Sequence, residues 1–211
     1  DTPNFIANRI GVYGMMVTLE EARKKKISIE DVDGLTGSLI GRPKSATFRT
    51  ADVVGLDTMC FVANTAYEKC TDDPERETFK IPDYLQKMVD NEWLGQKSKQ
   101  GFYKKIDKGV IHSIDLNTLE YTPQNKKRYA GVRLAKENVQ LKDRLKALAY
   151  SDDPAGEFVW EVTAKALLYA SNRLGEIADD IVNIDRAMRW GFGWELGPFE
   201  AWDAIGVAES I

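Results

Sequence analysis

The chain has 211 residues, 43% of them hydrophobic and 29% charged, with a formal net charge of −4. That length and apolar fraction suffice for a sizeable core in one or two domains, and the well-mixed charge argues against nucleic acid or an anionic membrane as partner. No apolar run approaches the ~20 residues needed for a membrane span, and no secretory signal is visible at the start. Two cysteines, Cys60 and Cys70, make no disulfide framework, so the expected setting is the cytoplasm.

In chain order, Thr2-Pro3 reads as a helix start, with Phe5, Ile6, Ile10, Tyr13 and Val17 following at helical spacing. Asn8 falls in the second turn of that helix and by itself reads as a surface or capping amide. Ser28 is placed to cap a second helix over residues 29–40, which Gly37, Gly41 and Pro43 break. Gly34, Gly37 and Gly41 follow no strand and lack GxGxxG spacing, so they argue for turn chemistry rather than phosphate binding. Short helices are expected over residues 47–54 and 57–70, with Cys60 and Cys70 as small packed residues. A polar loop at residues 72–76 precedes a helix over 83–91, with Tyr84, Leu85, Met88 and Val89 at core spacing. Lys97, Lys99, Lys104, Lys105 and Lys108 make the next stretch basic. A solvated loop is favoured there over contact with the phosphates of a ligand or with a neighbouring domain.

The period then changes. Residues 102–106, 110–114 and 118–121 are short β-type runs separated by turns at 107–109 and 115–117, a small meander. His112 is the only histidine, and alone on a β run it points to neither a metal site nor a triad. Residues 123–129 read as a polar linker and domain boundary. Residues 132–148 form an amphipathic stretch, and Asp152-Asp153-Pro154 opens a long helix to about residue 172 with a wide apolar stripe through Phe158, Val162, Leu167 and Tyr169. Trp190, Trp194 and Trp202 read as an aromatic helix–helix core in preference to a pocket.

One block occurs twice. Asp33 is followed by Asp52, and 152 positions after Asp33, Asp185 is followed by Asp203 at nearly the same spacing. Each copy follows an apolar helical run, which suggests domain duplication. Three segments then carry a family resemblance: the opening Asp1-Thr2-Pro3-Asn4-Phe5-Ile6-Ala7-Asn8-Arg9, the Trp93 to Tyr103 stretch ending Gly101-Phe102-Tyr103, and the Trp194-Glu195-Leu196-Gly197-Pro198-Phe199-Glu200 turn. In type and order they resemble the C-terminal part of the 3-hydroxyacyl-CoA dehydrogenases.

The resemblance implies an all-α fold of duplicated helical units like the C-terminal domain of 6-phosphogluconate dehydrogenase, with a small β meander between. Residues 1–124 would be the first unit and 125–211 a truncated second copy. It implies a fatty-acid β-oxidation enzyme acting on an acyl-CoA substrate. In the family the Asn at position 8 faces the cleft between two domains and hydrogen-bonds the substrate. An amide suits that task, because it donates to a carbonyl oxygen without titrating. In the second copy position 160 is Trp, so that copy keeps the packing and loses the amide. The family binds NAD on a Rossmann GxGxxG turn and takes the hydroxyl proton with a His–Glu pair. Neither pattern is in this sequence, and Gly191-Phe192-Gly193 has the wrong spacing. The chain is therefore expected to be an excised piece of a longer protein, inactive alone and binding no NAD. It would pair with an N-terminal Rossmann domain and, through its helices, in a homodimer. The first copy has Gly41-Arg42-Pro43-Lys44 where many members have Gly-Pro-Phe-Glu, a variation of larger proteins that also carry an enoyl-CoA hydratase module. The alternatives are a non-catalytic helical pairing module and the helical domain of another 3-hydroxy acid dehydrogenase.

Overall fold

The computed structural model describes residues 2–210, apart from the side chain of Lys108. Asp1 of the opening motif and the Lys108 charge of the basic stretch lie outside the described residues. The described chain is mostly helical, with eleven α-helices and one three-stranded antiparallel sheet. Two long helices, α1 (Ala7–Lys24) and α8 (Pro154–Asn172), pack along each other at the centre. Their apolar residues meet: Tyr13 of α1 stacks on Tyr169 of α8, ring centroids 3.7 Å apart and planes 5° apart. A β-carbon at position 11 would lie 2.1 Å from the Phe192 ring, so Gly11 is what lets the end of α9 (Ile181–Phe192) close onto α1.

The first half of the chain continues from α1 through α2 (Ile29–Thr36), α3 (Phe48–Val54), α4 (Leu56–Lys69) and α5 (Asp83–Asp90). Ser28 caps α2 as expected, accepting from the Asp31 N–H. The sheet follows as β1 (Tyr103–Lys105), β2 (Ile111–Ile114) and β3 (Tyr121–Pro123), a meander with Tyr103 opposite Ser113 and His112 opposite Pro123. The second half supplies α6 (Ala130–Lys136), α7 (Leu141–Ala149), α8, α9, α10 (Pro198–Ile205) and α11 (Val207–Ser210). Asp153 caps α8 by accepting from the Gly156 N–H.

Several expectations differ from what is observed: the helix expected over 29–40 ends at Thr36 and is followed by a 3-10 turn over Ser38–Ile40, and the third strand is Tyr121–Pro123, not 118–121. The first helix starts at Ala7, not at Thr2-Pro3, because Asn4 and Phe5 are left-handed at φ 65° and 51° and interrupt the helical run. Asn8 therefore sits in the first turn of α1. The amphipathic stretch over 132–148 is two helices, α6 and α7, broken at residues 137–140. The linker at 123–129 is held down rather than free: Glu30 accepts from the Asn125 N–H, and Asp31 accepts from the Lys127 N–H and the Tyr129 hydroxyl.

Buried carboxylates join the elements. Asp33 accepts from the Thr47, Phe48 and Arg49 N–H groups at 3.1, 2.7 and 3.1 Å, closing the N-terminus of α3, and from the Tyr103 hydroxyl at 2.7 Å. Asp185 does the same for α10, accepting from the Phe199 and Glu200 N–H groups at 2.8 and 3.2 Å. Asp52 accepts from the Phe102 and Tyr103 N–H groups at 2.8 and 2.9 Å and so anchors β1 to α3. Orphan helix-start donors are the reason for the first two pairings. Replacing Asp33 by Ala should cost about 2 kcal/mol or more, and Asp185→Ala about 1 kcal/mol, because fewer donors are stranded. Urea unfolding of the two variants at pH 7 checks the order.

Candidate functional site

Asn8 is exposed in the first turn of α1, and no hydrogen bond from its carboxamide to the described protein is present. Its neighbour Arg9 is the opposite, fully buried. Arg9 Nε donates to the Tyr169 hydroxyl at 2.6 Å, and its terminal nitrogens donate to Cys70 Sγ at 2.7 Å, Asp73 at 2.8 Å and Glu176 at 2.9 Å. Tyr169 also donates to Asp73 at 2.7 Å, and Arg173 pairs with Asp73 and Glu176 at 3.2 and 2.9 Å. Every arm of the guanidinium thus has an acceptor, as a buried charge requires. The network also fixes the rotation of the first turn of α1, and with it the outward direction of Asn8.

An open cavity of about 540 Å³ lies at this end of α1, lined by Phe5, Ile6 and Ala7 on one side and Ile177, Ala178 and Ala187 on the other, with Thr2, Glu176 and Asp179 also on its wall. Phe5 is 69% exposed there. The segment carrying Phe5 is held through Asn4, whose side-chain amide donates to the Val62 carbonyl at 2.9 Å. An exposed amide near a cavity with apolar residues on two sides can orient a ligand that has a carbonyl and an alkyl part.

Sequence reasoning had no separate role for Arg9. The signal was available: Arg9, Tyr13 and Met16 fall on one face of α1, and a cation on an otherwise apolar stripe needs a partner. Burial acts to raise the Asp73 carboxyl, but hydrogen bonds from Tyr169 and Arg9 outweigh it and hold it below the ordinary value. This stabilisation is present above about pH 4 and is lost as pH falls through the folded value of Asp73. Arg9→Ala should destabilise by about 3–5 kcal/mol, since it leaves Asp73 buried with less compensation. Urea unfolding at pH 7 measures this, and the difference between the two proteins should narrow below about pH 4.

The other candidates are dispersed. His112 is half-buried on β2, opposite Lys104. The three tryptophans form no common core. Trp190 is 81% exposed, Trp194 lies under the Arg42 guanidinium at 4.2 Å, and Trp202 donates to Ser210 Oγ. In the basic stretch Lys97 is used internally, paired with both oxygens of Asp57 at 2.5 and 2.6 Å. Lys99, Lys104 and Lys105 line a cavity of about 950 Å³ that also includes Arg49 and Tyr103. Arg49 stacks on Tyr103, 4.1 Å from the ring centroid, and both also border a second cavity of about 470 Å³. Burial lifts the Asp33 and Asp52 carboxyls to about 6 against the donors that hold them. Among the described residues no cluster of three or more His, Cys, Asp or Glu has the geometry to hold a metal ion. No helix among them is long and apolar enough to cross a membrane.

Comparison with known proteins places this arrangement. The family "3-hydroxyacyl-CoA dehydrogenase, C-terminal domain" matches residues 5–105, from the exposed Phe5 to the end of β1. A probable 3-hydroxyacyl-CoA dehydrogenase of Bacillus subtilis is 54% identical over 210 residues, which is all of this chain and 26% of that protein. A putative fatty acid oxidation complex trifunctional enzyme of Rickettsia felis is 27% identical over 95% of this chain and 27% of its own length. The chain thus spans about a quarter of the curated relatives that it matches along nearly its whole length. A probable 3-hydroxyacyl-CoA dehydrogenase of Deinococcus radiodurans is 45% identical over half of this chain and 30% of its own. Among solved structures, 3-hydroxybutyryl-CoA dehydrogenase from Escherichia coli aligns over 99% of this chain and 54% of its own with a TM-score of 0.57 and 18% identity, a likeness of fold. Residues 5–105, which include the helix that carries Asn8 and Arg9 and end with β1, are thus a 3-hydroxyacyl-CoA dehydrogenase C-terminal domain.

Proposed function

We propose that this chain is the C-terminal portion of an NAD-dependent 3-hydroxyacyl-CoA dehydrogenase of fatty-acid β-oxidation. In this reading it supplies one wall of the acyl-CoA cleft and a helical pairing surface. The observation that carries the reading is the contrast at the start of α1: Arg9 is buried and fully bonded, while Asn8 beside it is exposed, one residue on from Ala7 on the wall of the cavity. The Asn8 N–H₂ would donate to a carbonyl oxygen of the acyl-CoA and orient the carbon that reacts. The rigid network under α1 would keep that donor in place before the substrate arrives.

NAD would be held by a different part of the full protein. A dinucleotide is held on a parallel βαβ unit with a glycine-rich turn into a helix, and the sheet of this chain is an antiparallel meander. The described residues do not fit the cofactor. An N-terminal Rossmann domain is the natural partner and would close over the end of α1. A homodimer through the helical surface and a cytoplasmic setting belong to the same reading.

We further propose that the chain holds two copies of one helical unit, residues 1–124 and a shortened second copy over 125–211. The matching devices support this: a long central helix in each, then a helix whose aspartate, Asp33 or Asp185, receives the N–H groups of the following helix start. On this reading α1 and α8 are equivalent helices, and their packing is a pairing of copies inside one chain. The test is Asn8→Ala in the full-length protein, followed as NADH oxidation with acetoacetyl-CoA. kcat/KM should fall on the order of tenfold to a hundredfold, with the thermal midpoint unchanged. Unchanged turnover would favour a pairing module with no role in the cleft.

A further inference from the structure

The cavity of about 470 Å³ bordered by Arg49 and Tyr103 carries a charge imbalance that the proposed dehydrogenase role does not use. Five cations line it: Lys44, Arg49, Lys126, Lys136 and Arg144. None of the five has a carboxylate within 4.0 Å among the described residues; the ion pairs of this protein are made by other cations. The two acids on the same wall are already engaged. Glu30 accepts from the Ser113 hydroxyl and the Asn125 N–H, and Asp33 accepts from three backbone N–H groups and the Tyr103 hydroxyl. Five cations against two carboxylates leave three positive charges facing one concave space, in a chain whose net charge is −4.

The cations come from separated parts of the chain: the segment before α3, α3 itself, the strap after β3, α6 and α7. Mutual repulsion opposes such a gathering, and only the tertiary fold holds it together. Two members are pre-set. Arg144 donates through Nε to the Leu39 carbonyl at 2.8 Å and through Nη2 to the Ser38 carbonyl at 3.3 Å, while Arg49 sits over the Tyr103 ring. The space is also kept clear. Gly34 lines the cavity from within α2, where glycine costs about 1 kcal/mol of helix stability relative to Ala. A β-carbon there would meet no atom within 4 Å, so no packing contact excludes a larger residue.

We infer that this groove is a binding site for a small molecule bearing a diphosphate, whose charge of about −3 near pH 7 matches the surplus. The lysines supply mobile point charges and the two arginines fixed forks, the mixture that suits phosphate oxygens. A cavity of this volume is in the range of small-ligand sites. The site is independent of Asn8 and of the acyl cleft proposed above.

The test is calorimetric titration of the 211-residue chain with inorganic pyrophosphate, with ADP, and with adenosine as the uncharged control. Pyrophosphate and ADP should bind one to one, and adenosine should not. Tighter binding of ADP than of pyrophosphate would identify a nucleotide-bearing ligand, and equal binding one recognised through its phosphates alone. The triple variant Lys44→Ala, Lys126→Ala, Lys136→Ala removes three exposed charges and should weaken pyrophosphate by at least about tenfold, the loss expected from one charge-assisted hydrogen bond. Gly34→Leu keeps every charge and fills the space, and it should also abolish binding, with an unchanged far-UV circular dichroism spectrum confirming the fold in both variants. No heat with millimolar pyrophosphate, or wild-type affinity in either variant, overturns the inference.

Discussion

The burial of the Arg9 guanidinium is the constraint on which the rest of this structure depends. A charge with no access to solvent is tolerable only when its donors are all met, and here the acceptors come from three places in the chain: the end of α4 and the loop after it, α8, and the turn after α8. The side chain therefore cannot be satisfied until both halves have come together. The stacking of Tyr13 on Tyr169 lies beside it and adds apolar area to the same junction. Glu21 and Lys165 make a second tie between α1 and α8 farther along, at 2.8 Å.

This junction sets the position of the amide next to Arg9, on which the proposed substrate contact rests. Successive positions on a helix point about 100° apart, so fixing Arg9 also fixes the direction of Asn8, which is exposed. The left-handed turn at Asn4 and Phe5 then keeps the incoming chain off the helix axis, and the first turn is left open. Rigidity below and openness above are what a binding wall needs.

Carboxylates elsewhere do comparable joining work with neutral donors. Asp33, Asp52, Glu30, Asp31 and Asp185 each accept from backbone N–H groups remote in sequence, and so bind helix starts, the meander and the strap after it to α2, α3 and α9. Because these acids are spent on the backbone, the cations near them lack partners. The basic groove is thus a by-product of how the first half is held together, as well as a candidate site.

Much of the helical outline was legible in the sequence, because it rests on local chemistry. Ser28 and Asp153 cap where their side chains dictate, and the change from helical to alternating period marks the meander. The motifs ending in Asn8-Arg9 and in Gly101-Phe102-Tyr103 carried the family. What tertiary structure alone decided was everything set by distant partners. Arg9 is a core residue because Asp73, Tyr169 and Glu176 converge on it, and Trp190 is a surface residue because α9 turns that face away from α1. The residues after β3 are a strap, not a linker, because Glu30 and Asp31 are within reach. Caps and periods are properties of neighbouring residues, whereas the fate of a charge or an aromatic depends on which remote groups the fold brings to it.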